Sequence, residues 1–124
     1  MKLERDLNTH IKDKLGLYEL AGNIVWHSRL NSGSIKTYFG SHIKLCNKGT
    51  WDWVVVFRNR EDGLSLLFIE GKSDTGKLRT DQKLFQERYN KKDVYFLVVI
   101  DPKDIDTFID KKSKDFVQSL PSKL

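Results

Sequence analysis

Two acidic residues interrupt apolar runs, and each has neighbours that could put it to chemical use. Asp52 stands between Trp51 and Trp53 at the head of an aliphatic run, and Glu70 closes Leu66-Leu67-Phe68-Ile69 with Lys72 two positions later. Side chains at i and i+2 of a strand share a face, so Glu70 and Lys72 should project together with the Gly71 backbone open between them. If the two runs pair as a hairpin, Asp52 comes close to Glu70. Two carboxylates beside a carbonyl oxygen suit a hard divalent cation such as Mg²⁺. An adjacent ammonium could hold a water or a phosphate oxygen. The same three residues also describe a plain salt bridge at a strand end.

The elements that must position these residues can be read from hydropathy. Leu3, Leu7, Ile11 and Leu15 recur every fourth residue, the stripe of an amphipathic helix that Gly16 is placed to end. Residues 23–30 alternate and read as a strand, and 35–39 as a shorter one after the turn Asn31-Ser32-Gly33-Ser34. Residues 51–57 and 64–69 are strands dense enough in apolar residues to be buried on both faces, joined as a hairpin by Asn59-Arg60-Glu61-Asp62-Gly63. Thr80 is a candidate cap for a helix carrying Leu84, Phe85 and Tyr89. Residues 94–100 form the clearest strand, stopped by Asp101-Pro102. Ile105, Phe108 and Ile109 mark a last helix. The expected fold is a mixed α/β domain with one central sheet, and residues 1–124 read as one domain.

Composition narrows the function classes. Twenty-two Lys and Arg against seventeen Asp and Glu give a net charge of +5, which favours an acidic partner, nucleic acid first. A single cysteine, Cys46, excludes an internal disulfide and a Cys-based zinc site. No apolar run approaches the ~20 residues needed to span a bilayer, and Met1-Lys2-Leu3-Glu4-Arg5-Asp6 is too charged for a signal peptide. The expected setting is intracellular, in the cytoplasm.

Asp52 with Glu70-Gly71-Lys72 resembles the signature of the PD-(D/E)XK nucleases, in which an acidic residue precedes a carboxylate-x-Lys triplet on the next strand. Three segments, Asn47-Lys48-Gly49-Thr50-Trp51-Asp52, Leu67-Phe68-Ile69-Glu70-Gly71-Lys72 and Gly76-Lys77-Leu78-Arg79-Thr80-Asp81-Gln82, are similar to the VRR-NUC branch in particular. That branch has a Gly shortly before the Asp, a Gly-Lys/Arg-Leu-Ser/Thr-like loop after the Lys, and a Gln opening the next helix. The resemblance runs from Glu4 to about Ile100 and is most specific from Gly49 to Gln82. Two positions depart from the pattern: Trp51 replaces a Pro, and Gly71 replaces a residue that is often apolar. Neither departure removes a ligand or the lysine. Trp51 could alter the turn or stack on a base.

The resemblance implies a restriction-endonuclease-like core, α-β-β-β-α-β, with a mixed central sheet flanked by helices. It implies that Asp52, Glu70 and the Gly71 carbonyl hold Mg²⁺, with Mn²⁺ able to substitute, and that Lys72 orients or activates the attacking water. Gln82 would support the metal site or that water. A Glu of the first helix joins the site in this family; Glu4 is the best match, with Asp6 and Glu19 as alternatives. The implied activity is that of a metal-dependent DNA endonuclease, a bacterial or viral type acting on branched DNA such as Holliday junctions, as a homodimer. Rival readings are a restriction-type or nicking nuclease on linear DNA, and a non-catalytic DNA-binding module on the same fold.

Other motifs are weaker. Gly71-Lys72-Ser73-Asp74-Thr75-Gly76-Lys77 matches seven positions of a phosphate-binding P-loop, but the eighth, which must be Ser or Thr to hold Mg²⁺, is Leu78. His10, His27 and His42 share no metal-ligand spacing. Lys36, Lys44, Lys48, Arg58, Lys77, Arg79 and Lys83 flank the site in sequence and form a candidate phosphate-binding cluster. Trp26, Tyr38, Phe39 and Trp51 are the aromatic candidates for a dimer patch.

Overall fold

The computed structural model describes residues 4–30, 34–36, 42–44, 49–72 and 77–115, with backbone only at 4, 5, 34–36 and 42–44. The leucine stripe forms helix α1 (Glu4–Ala21), which does not stop at Gly16. It runs on to Gly22, whose φ of 97° suits a helix-ending glycine and whose N–H returns to the Tyr18 carbonyl at 3.1 Å. The extra turns are held from outside. Tyr18 Oη donates to Asp106, which also takes Lys14 Nζ at 2.8 Å.

Strand β1 (Ile24–Arg29) follows. The short strand expected over 35–39 is β2 (Ser34–Lys36), paired antiparallel with β3 (His42–Lys44) in a two-stranded ribbon apart from the main sheet; residues 37–39 lie outside the described ones. Strands β4 (Trp53–Arg58) and β5 (Leu64–Gly71) form the expected hairpin. Helix α2 (Thr80–Tyr89) then crosses over to β6 (Val94–Val99), and helix α3 (Lys103–Lys112) closes the described fold. The sheet order is β1-β4-β5-β6, antiparallel except for β6, which lies parallel to β5. A parallel neighbour requires a crossover of this kind, and α2 supplies it.

The sheet is covered on both faces at the end that matters. One cluster joins Leu7, Ile11 and Leu15 of α1 and Ile105 and Ile109 of α3 to Val55, Phe57, Leu67, Ile69 and Val99. Each such burial stabilises the fold by roughly 1.5–3 kcal/mol. On the opposite face, Phe85 of α2 packs edge-on against Phe68 at 5.2 Å, and Phe68 stacks on Phe96 at 5.4 Å. Burial on both faces does not extend along the whole of β5, because Leu64 and Leu66 remain exposed. Among the described residues, no helix is long and apolar enough to cross a membrane.

Candidate active site

The hairpin register decides where the two acids meet. Trp53 is opposite Ile69, so Asp52 lies just before β4 where Glu70 lies just inside the end of β5. The Asp52 N–H donates to Glu70 Oε1 at 3.1 Å, and the Gly71 N–H donates to Asp52 Oδ2 at 3.3 Å. Lys72 Nζ is 3.3 Å from Glu70 Oε2, and both side chains are largely buried. The i, i+2 expectation therefore holds. Glu70, like Phe68, is on the face covered by α2, whereas Gly71 is turned to α1.

Gly71 is required by close approach. A Cβ there would lie 3.1 Å from Asn8 Oδ1 and 3.2 Å from Ile11 Cδ1 of α1. Its carbonyl also has a defined direction. Successive strand residues turn their amide groups to opposite edges. The Lys72 N–H goes to the Val99 carbonyl of β6 at 2.9 Å, while the Gly71 N–H goes to Asp52. The Gly71 carbonyl thus faces the Asp52 side.

Gln82 enters from α2, where it is buried at the third helical position. Its Oε1 accepts the Arg79 N–H at 2.9 Å, the return half of a capping box. Its side chain also hydrogen-bonds the Glu70 carboxylate. The cap residue is Arg79 and not Thr80, which is already helical. Two further contacts fix this turn. Trp51 Nε1 donates to the Gln82 carbonyl at 3.0 Å, and Gly49, at φ 92°, lies so near α2 that a Cβ would sit 2.6 Å from the Asp81 carbonyl oxygen. Trp51 is 1% exposed and packs edge-on against Phe96. It is core, available neither to a base nor to a dimer patch.

The electrostatics are those of an under-compensated acidic pair. Burial, then the Asp52 charge, push the Glu70 carboxyl above the usual carboxylate range; Lys72 and Gln82 pull it back only in part. Among the described residues, no three His, Cys, Asp or Glu side chains gather as a metal cage. The donor set is two carboxylates and one carbonyl, all hard oxygens, and their mutual repulsion is what a cation relieves. That set fits Mg²⁺ or Mn²⁺, which bind through one or two carboxylates and complete their shell with water and phosphate oxygens.

The first-helix acids divide. Glu4 opens α1 one turn ahead of Asn8, and its side chain lies outside those described. Asp6 is exposed, and Glu19 Oε1 is 2.9 Å from His27 Nδ1 near the other end of α1. Of the basic cluster, Lys77, Arg79 and Lys83 are exposed beside the start of α2. Arg58 is opposite Leu64 at the far end of the hairpin and does not belong with them. Lys48 and the side chains of Lys36 and Lys44 lie outside the described residues. Sequence reasoning missed Asn8, which backs Gly71 from the α1 face and whose Oδ1 accepts the Trp53 Nε1–H at 3.1 Å. The signal was present: Asn8, Ile11 and Leu15 share one helix face, so a polar residue stands on an inward stripe. No protein-family model matches the chain, and neither does any curated protein or solved structure.

Proposed function

We propose that the protein is a divalent-metal-dependent DNA endonuclease, working through a PD-(D/E)XK-type site at the open end of the β4–β5 hairpin, where β4 begins and β5 ends. The observation that carries this reading is the meeting of Asp52 and Glu70, with Lys72 Nζ 3.3 Å from Glu70 Oε2. Asp52, Glu70 and the Gly71 carbonyl would hold Mg²⁺ or Mn²⁺. When bound, the metal neutralises charge on the phosphodiester and lowers the pKa of a coordinated water.

The chain's own residues do the rest. The Asp52 N–H fixes Glu70 Oε1 and the Gly71 N–H fixes Asp52 Oδ2, while Lys72 faces Glu70 Oε2. Lys72 carries the positive charge that orients the attacking water or takes a phosphate oxygen. Gln82 holds the Glu70 carboxylate against α2. A basic chain, +5 overall, keeps the polyanion close.

Branched DNA and a homodimer extend the proposal. Two active sites related by a twofold axis can cut two strands of a junction. Trp26, 51% exposed beside exposed Val25 on the edge strand β1, supports a self-association surface. The test is Mg²⁺-dependent cleavage of junction, flap, single-stranded and linear DNA by the parent, Asp52→Asn and Glu70→Gln. Cleavage of linear duplex alone would favour a restriction-type or nicking enzyme, and binding without cleavage a non-catalytic module.

A further inference from the structure

A second polar depression borders this end of the sheet. It is a groove of about 470 Å³ between α1 and β1, with Asn8 and Lys12 on one wall, Ser28 and Arg29 on the other and Trp53 as the floor. The Arg29 guanidinium lies 5.5 Å from the centre of the Trp53 ring, an arrangement that steadies a cation without neutralising it. Among the described residues, no carboxylate lines the groove, and neither Lys12 nor Arg29 makes an ion pair. Glu19, which reaches the neighbouring His27, is engaged with that imidazole. Two exposed cations face a common cleft with hydroxyl and amide groups between them. That chemistry recognises a phosphodiester oxygen.

Asn8 ties the groove to the carboxylates. Its Oδ1 takes the Trp53 Nε1–H and lies 3.1 Å from where a Gly71 Cβ would be. Glu70 is on α2's side of the sheet and the groove on α1's, so the two flank one sheet end from opposite faces. We infer that the groove between α1 and β1 binds a backbone phosphate of the nucleic-acid strand that passes over this sheet end, with Lys12 and Arg29 as its two cations. The inference rests on the nuclease reading for its ligand and assigns that ligand a second contact remote from the metal.

The test is fluorescence anisotropy of a labelled DNA duplex with the full-length chain in EDTA, where metal-dependent cleavage is silent, over a range of salt concentrations. Removing a phosphate contact lowers the slope of log affinity against log salt by about 1. Lys12→Ala and Arg29→Ala should each lower it by about 1, and the pair by about 2. Arg29→Lys should keep most of the slope. Lys111→Ala, an equal charge loss on α3, should leave it unchanged. Melting curves check each fold; Lys12, on an exposed helix face, carries the test if Arg29→Ala unfolds. Slopes equal to the parent in folded variants, or an equal loss in Lys111→Ala, would overturn the inference, as would a parent that binds no DNA at low salt. Cleavage is read separately with Mg²⁺. A chain that binds with the expected slopes but does not cut loses the nuclease reading and keeps the groove; one that cuts with unchanged slopes loses the groove alone.

Discussion

The Asp52 N–H donates to Glu70 Oε1 at 3.1 Å, so the residue that delivers one carboxylate also aims the other. Calorimetry with Mg²⁺ or Mn²⁺ should give saturable binding to the parent, and Asp52→Asn or Glu70→Gln should weaken it by more than roughly 100-fold, together with cleavage. DNA affinity should be kept or increased, since less negative charge faces the phosphates. Full cleavage by Glu70→Gln would remove the catalytic assignment.

Lys72 differs in kind from the two acids. Lys72→Ala should reduce the cleavage rate by about 10²–10³-fold while divalent binding persists, because the ammonium acts on charge in the reaction and not as a ligand. A single-turnover rate close to the parent's would reduce the Lys72–Glu70 contact to an ordinary salt bridge.

Gln82 acts through Glu70. Losing its hydrogen bond removes one of the influences that hold the Glu70 carboxyl down, leaving burial and Asp52 less opposed. Gln82→Ala should lose roughly 10–100-fold in activity. It should also move the acid limb of the pH profile of kcat/KM to higher pH. A proportional loss at every pH would mean that Gln82 only supports the helix.

Glu70 should also register in stability. Its carboxyl titrates higher in the folded chain than in the unfolded one, so ionisation costs the folded state. The cost is absent below the ordinary Glu range, grows as pH rises toward the folded value, and is complete above it. In chelator, Glu70→Gln should melt above the parent at pH 8, and the gap should close near pH 4. A gap that is the same at both pH values would contradict the electrostatic account.

Assembly and substrate shape are linked. Light scattering should give a dimer that cuts four-way junctions faster than linear duplex of the same sequence. Trp26→Lys should shift it toward monomer and reduce the junction preference while linear cleavage continues. A parent monomer with equal rates on both substrates removes the junction reading and leaves the nuclease one.

Much of this arrangement was legible because strand periodicity is short-ranged. The hairpin of β4 and β5, its loop, and the shared face of Glu70 and Lys72 all follow from alternation and turn chemistry. What was misread depends on distant partners. Gly16 looked like a helix stop because the every-fourth-residue apolar stripe ended at Leu15, but Lys14 and Tyr18 are held by Asp106, far along the chain. Trp51 looked available to a ligand because nothing local says that Phe96 and the Gln82 carbonyl enclose it. Arg58 was grouped with the site by sequence distance, whereas the hairpin carries it to the opposite end.

The bond from the Lys72 N–H to the Val99 carbonyl bears on timing during synthesis. Helix α1, β4 and β5 leave the ribosome first, so both acids can be in place while the edge beside Lys72 still lacks its strand. Only when β6 has emerged and docked in parallel is the backbone on both sides of Gly71 paired. A chain truncated after α2, near residue 90, would carry the carboxylates yet hold Lys72 on a loose edge. Hydrolytic competence in such a fold would arrive late, with the last strand of the sheet.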